Sequence, residues 1–202
     1  MNRFGLMRWG VCAPAVAAAV LMGLGASARH AAAAVARGSS GTPGAGCLPS
    51  HEGYLRAHLR GASDLDIDWQ DRQMQCDGDV RPGRHGIRLT FAGRAQPGNH
   101  RVRFVFGIDA APAIGTVHNV PASVTVIFEG EGRLYSTRGA NACTVDDLQQ
   151  QPFGAAGAHR VRVSARGFCI GEAGAVGGRN DGLLLSTFDF DGQMTGDGSP
   201  AD

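Results

Sequence analysis

The chain has 202 residues with 19 basic against 18 acidic side chains, and every basic residue is an arginine. A formal net charge of +1 excludes bulk electrostatic attraction to nucleic acid or to an anionic membrane, so a partner must be recognised locally. The lack of lysine beside abundant alanine and glycine reads as GC-rich coding, not as a function.

Arg3 and Arg8 precede an apolar stretch from Val11 to Leu24, and Ala26-Ser27-Ala28 closes it with small residues. That order is the pattern of a cleavable secretory signal, so residues 1–28 are expected to be removed. An uncleaved anchor is the competing reading, because Val11 to Ala28 nearly reaches the roughly 20 residues of a spanning helix. Pro14, the glycines and the Ala-Ser-Ala site weigh against it. Lipidation is disfavoured, since Gly10-Val11 is a poor context for Cys12 and Cys47 lies far beyond the apolar run. The expected location is periplasmic or secreted, with no membrane span after cleavage.

Cleavage removes Cys12 and leaves Cys47, Cys76, Cys143 and Cys169. An even number in an exported chain predicts disulfides, and four cysteines allow three connectivities. Economy of loop length selects Cys47 with Cys76 and Cys143 with Cys169, each bridge contributing roughly 3 to 4 kcal/mol on the chain-entropy model. No Cys-x2-Cys pair and no histidine pair has metal-ligand spacing, so neither a metal nor a cofactor is expected.

Residues 29–46, RHAAAAVARGSSGTPGAG, contain nothing large enough to build a core and read as a disordered tether. Residues 47–193 are the size of one domain, and 194–202 read as a flexible tail. Within the domain apolar residues recur with period two, the signal of half-buried strands. The predicted runs are Tyr54 to Arg60, Asp64 to Trp69, Ile87 to Phe91, Arg101 to Asp109, Ser123 to Phe128, Leu134 to Thr137, Arg160 to Ala165 and Leu183 to Phe190. Turn-forming clusters such as Gln96-Pro97-Gly98-Asn99 separate them. The predicted fold is therefore all-β, an antiparallel β-sandwich with a closed barrel as the runner-up.

The first two runs specify a register. A hairpin closed by Gly61-Ala62-Ser63 sets Arg60 opposite Asp64, His58 opposite Asp66 and Arg56 opposite Asp68. Leu59, Ala57 and Leu55 then meet Leu65, Ile67 and Trp69 on the other face, and a slip of one residue would invert both faces. The D-x-D-x-D run resembles the start of a calcium loop, but Trp69 stands where an EF-hand needs glycine and Gln75 where it needs glutamate. Asp77-Gly78-Asp79 and Asp189-Phe190-Asp191-Gly192 are too short to read as more than turns or strand ends.

Two strands share the pattern His-Arg-Val-Arg-apolar, at His100 to Phe104 and His159 to Val163. Side by side, Arg101, Arg103, Arg160, Arg162 and Arg166 would make an anion-binding stripe for phosphate, sulfate or uronate. The simpler expectation is two solvated strand faces, because like charges on neighbouring strands repel. No motif for a nucleophile elbow, zinc protease, phosphate loop or redox pair is present. Combinations such as His118 or His159 with Ser123, Ser164 or Ser186, or the carboxylates Glu129 and Glu131, would need a close geometry to count as catalytic.

The segment Gly139 to Pro152 breaks the strand rhythm. Thr144 with Asp146 and Asp147 suits a short helical turn over 145–149, and a binding site is expected beside this insertion. The sequence thus points to an exported cell-envelope domain that is not an enzyme and binds an envelope glycan or a protein. The alternatives are a small hydrolase of envelope polysaccharide or ester substrates, and a self-assembling structural protein with Ser123 to Phe128 as an apolar edge strand.

Overall fold

The computed structural model describes residues 47–81, 86–139, 141–154 and 159–195. The signal segment 1–28, the tether 29–46 and residues 196–202 of the tail lie outside the described residues. Among the described residues there are eleven strands and one 3-10 turn: β1 (Tyr54–Gly61), β2 (Leu65–Gln70), β3 (Met74–Val80), β4 (Ile87–Ala95), β5 (His100–Ile108), β6 (Gly115–Glu129), β7 (Arg133–Ser136), β8 (Cys143–Phe153), β9 (Arg160–Cys169), β10 (Ala173–Ala175) and β11 (Gly182–Thr195). The fold is all-β, as the period-two pattern predicts, and antiparallel at every strand pair but one; its strands join in hydrogen-bonded rings of the kind a joined sandwich or a barrel contains. Among the described residues no helix is long and apolar enough to cross a membrane.

One ring runs β6-β5-β4-β3-β11-β9-β8 and back to β6. Seven strands that alternate up and down cannot close on themselves, and the parallel bridge between Thr195 and Asp79 resolves the mismatch. The expected tail boundary is therefore corrected. Met194 and Thr195 belong to β11, and Met194 is buried because it continues the inward alternation of Phe188 and Phe190.

The expected β1/β2 register is the one observed: Leu55 pairs with Trp69, Arg56 with Asp68, Ala57 with Ile67, His58 with Asp66 and Leu59 with Leu65. Only the outermost contact differs. Arg60 donates to Asp66, while the Asp64 carboxylate accepts from the Gly61 amide and closes the turn. The inward face of this hairpin packs on β4 and β5. The Trp69 ring meets Phe104 edge-on at 5.8 Å, and its indole N–H donates to the Arg94 carbonyl at 2.9 Å. Gly93 makes room for that ring, since a Cβ there would lie 2.8 Å from its atoms. Phe188 and Phe190 of β11 reach Phe106 of β5 at 5.0 and 4.9 Å, and Phe190 reaches Phe91 of β4 at 5.0 Å. Aromatic rings thus fill the space between the layers.

The helical turn expected over 145–149 is not formed; β8 is a continuous strand paired with β6 and β9. A bulge explains the misreading. Val145 pairs with Gly167 and Asp147 with Arg166, so Asp146 is the extra residue and Val145 and Leu148 both face inward. An i, i+3 apolar spacing produced by a bulge imitates helical spacing. A second bulge, where His58 pairs with Thr187 and Leu59 with Leu185, likewise lets Leu185 and Phe188 both face the core. Asp77-Gly78-Asp79, expected as a turn or strand end, lies in the last part of β3. Ser123 to Phe128 is not an edge, because β5 pairs it on one side and β7 extends along the other.

The structure joins Cys47 to Cys76 and Cys143 to Cys169. The first bridge ties the segment before β1 to β3, where the Asp71 carboxylate also accepts from the Leu48 amide at 2.7 Å. The second links directly opposed positions of β8 and β9.

Candidate functional site

Strand order brings one polar face together across β2, β1, β11, β9, β8 and β6. Cross-strand partners run Asp68, Arg56, Asp189, Arg166, Asp147, His118, an alternation of acid and base over six strands. The next row runs Gln70, Tyr54, Asp191, Ser164, Gln149, Thr116. Opposite charges placed side by side on a sheet support each other.

Asp147 anchors the far end. Its carboxylate accepts from Arg166 Nε at 2.6 Å and lies 2.7 Å from His118 Nδ1. The Arg166 hydrogen bond, followed by that of His118, holds the Asp147 carboxyl below its usual range. At the centre, Asp189 accepts from the Tyr54 hydroxyl at 2.8 Å. Burial first, then that bond and the negative charge of Asp189, push the Tyr54 phenol up to about 12. Asp191 is buried at 4 % exposure and is gripped by the Arg162 guanidinium, with the Ser164 hydroxyl donating at 3.2 Å. This pair ties β9 to β11 within the face.

Between these groups lies a shallow depression of about 200 Å³, lined by Asp147, Gln149, Ser164, Ala165, Arg166 and Asp189. It is smaller than the roughly 300 Å³ of an ordinary enclosing ligand pocket. Its lining offers guanidinium and amide donors beside carboxylate, amide and hydroxyl acceptors.

The structure separates the two arginine stripes. β5 sits between β4 and β6, whereas β9 sits between β8 and β11, so the strands are not neighbours and the five arginines do not form one patch. Each stripe lies against acids instead: Arg101 and Arg103 on Glu129, Arg162 on Asp191 and Glu52, and Arg166 on Asp147. Arg160 pairs with no carboxylate among the described residues. Pairing guanidinium groups with carboxylates removes the repulsion that adjacent arginine strands would carry.

The other combinations resolve into structural contacts. The Ser123 hydroxyl donates to the Gly107 carbonyl and that of Ser186 to the backbone carbonyl of His58, so neither bonds to an imidazole ring. His159 precedes β9 with a φ of 43° and bonds to no serine among the described residues. Burial tends to raise the Glu129 carboxyl, but hydrogen bonds from Arg103 and Arg101 outweigh it and hold it low; Glu131 is held low by Arg133. Both acids of that hairpin are thus clamped as carboxylates. Asp66 and Asp68 stand in line on β2 and bond to Arg60, His58, Arg56 and Gln70, a ladder and not a cage around an ion. Among the described residues no group of three or more His, Cys, Asp or Glu is placed to hold a metal.

The six-strand row escaped the sequence reading because its members come from six separate strands. Within one strand, the exposed Gln149 and Gln151 alternating with buried Leu148 and Gln150 were the available signal. No family model, curated protein or solved structure matches the chain.

Proposed function

We propose that this chain is an exported cell-envelope domain that binds a ligand across its six-strand polar face without transforming it. The observation that carries the reading is the depression beside Arg166, where the Gln149 amide and the Asp189 oxygen left over from its bond to Tyr54 stand on a rigid sheet beside the exposed Arg166 side chain. Arg166 and His118 keep 69 % and 61 % of their side-chain surface exposed, so their polar groups remain open to a ligand. Preorganised groups on strands bind with little ordering cost. The candidate serines are bonded to carbonyls or to Asp191, which leaves the hydrolase alternative without a serine and histidine side chain in contact among the described residues. The paired position of Ser123 to Phe128 removes the feature that favoured self-assembly.

Two independent features support that location. Residues 1–28 carry the order of a cleavable signal, and two disulfides suit an oxidising compartment, periplasmic or extracellular.

A thermal-shift screen of the oxidised protein against neutral glycans, acidic polysaccharides, divalent ions and ester substrates tests the proposal. A ligand at a hundredfold excess over its Kd should stabilise the fold by about 2.7 kcal/mol, and the shift should vanish in Gln149→Ala/Arg166→Ala. Turnover of a glycan or ester by the purified protein would overturn it.

A further inference from the structure

The outward column of β9 continues past Arg166 to Phe168, which is 37 % exposed; Ile170, 79 % exposed, follows the strand's last residue, Cys169. Alternate residues of one strand share a face, so Phe168 stands beside Arg166 of the charged row. Phe168 faces Thr144 on β8, and Thr144 faces Pro121 on β6. Phe168 therefore lies one alternate position along β9 from Arg166, which lines the depression with Asp147, Gln149, Ser164 and Asp189.

We infer that the ligand of this face is a neutral oligosaccharide, with one sugar ring laid on Phe168 and its hydroxyl groups directed into the depression. The inference rests on the binding reading above and adds the ligand class. A sugar ring presents C–H groups on one face, which suit the negative face of an aromatic ring, and hydroxyls around its rim. Each hydroxyl both donates and accepts, which matches a site that mixes acceptors with donors. Asp189 commits one oxygen to Tyr54, and the other accepts from nothing else among the described residues. Gln149 offers both ends of its amide, and the Ser164 oxygen can still accept.

Charge selects against the alternatives. Three carboxylates, two guanidinium groups and an imidazole alternate along the row, so an anionic or cationic polymer lying across it meets like charges at every second strand. An uncharged polyol meets none. The depression holds one small group and leaves the rest of a chain on the open sheet, so the ligand is bound along its length rather than enclosed.

Affinity electrophoresis and calorimetry with the full oxidised chain test this, using soluble glucan, mannan and galactomannan as neutral probes and polygalacturonate as the acidic one. At least one neutral probe should bind with an affinity that changes less than about twofold on raising the salt tenfold, because no charge is screened. Phe168→Ala should weaken binding about tenfold and Phe168→Tyr should retain it. Val176→Ala, an exposed apolar change outside the face, should leave it unchanged. Salt-sensitive binding of polygalacturonate alone would overturn the ligand class while leaving a binding module. Failure to bind any of the four would overturn the inference, and turnover of a probe would overturn the binding reading with it.

Discussion

At the scale of single residues, Asp191 shows how a buried charge is kept in a sheet face. Its side chain is 5 % exposed and depends on Arg162, whose charged form is favoured first by the hydrogen bond it donates to Asp191. Arg162→Ala would leave that carboxylate with the Ser164 hydroxyl as its remaining side-chain partner. The expected loss is about 3 kcal/mol, since an uncompensated buried charge costs more than the pair contributes. Urea unfolding measures it, and a loss below about 1 kcal/mol would mean water reaches the carboxylate as easily as at an ordinary surface pair. Contacts of this kind were only half legible. Arg162 was visible as part of an alternating stripe, but its acid lies 29 positions away on β11, and no local pattern joins the two.

At the scale of elements, β2 is the strand whose second edge pairs with nothing among the described residues. An open edge offers unpaired amides and carbonyls to another molecule, and charged side chains blunt it. Asp64, Asp66 and Asp68 stand there. Replacing all three by threonine should drive the protein toward dimers or larger species in size-exclusion chromatography. A variant that stays monomeric at the same concentration would mean that the carboxylates do not guard the edge. The β1/β2 hairpin was legible down to register because its alternation is unbroken and both faces are specified. β8 was not, because the extra residue Asp146 shifts the phase of the pattern inside one strand. The first half of β6 was missed for a related reason: Asn119, with a φ of 54°, and Pro121 interrupt Gly115 to Ala122.

At the scale of the whole molecule, ion pairs couple the fold to pH. Asp66, Asp147 and Asp181 are held below their ordinary value of 3.8, by hydrogen bonds from Arg60, Arg166 and Arg179 first; Glu129 and Glu131 lie below 4.5. The folded protein therefore binds these protons more weakly than the unfolded chain does. The resulting stability is full above 4.5 and is lost as pH falls through 3.8 toward the lowered values. The urea midpoint should fall steeply over that interval and less so in high salt, where exposed pairs are screened. A midpoint that stays level there would contradict the pairing described for these five groups.

The sequence by itself determined the strand-rich character, the first hairpin's register and the economical pairing of Cys47 with Cys76 and Cys143 with Cys169. These depend on side chains that alternate or lie close along the chain, so local periodicity and loop length carry them. Only the tertiary structure decided which strands are neighbours. That choice separated the two arginine stripes, turned the expected helical insertion into a central strand, and aligned Asp68, Arg56, Asp189, Arg166, Asp147 and His118 across six strands. The physical reason is that a strand's outward residues record only that they face water. Which charge stands opposite them is settled by the packing of Phe91, Phe106, Phe188 and Phe190 on the inward side, together with ring closure.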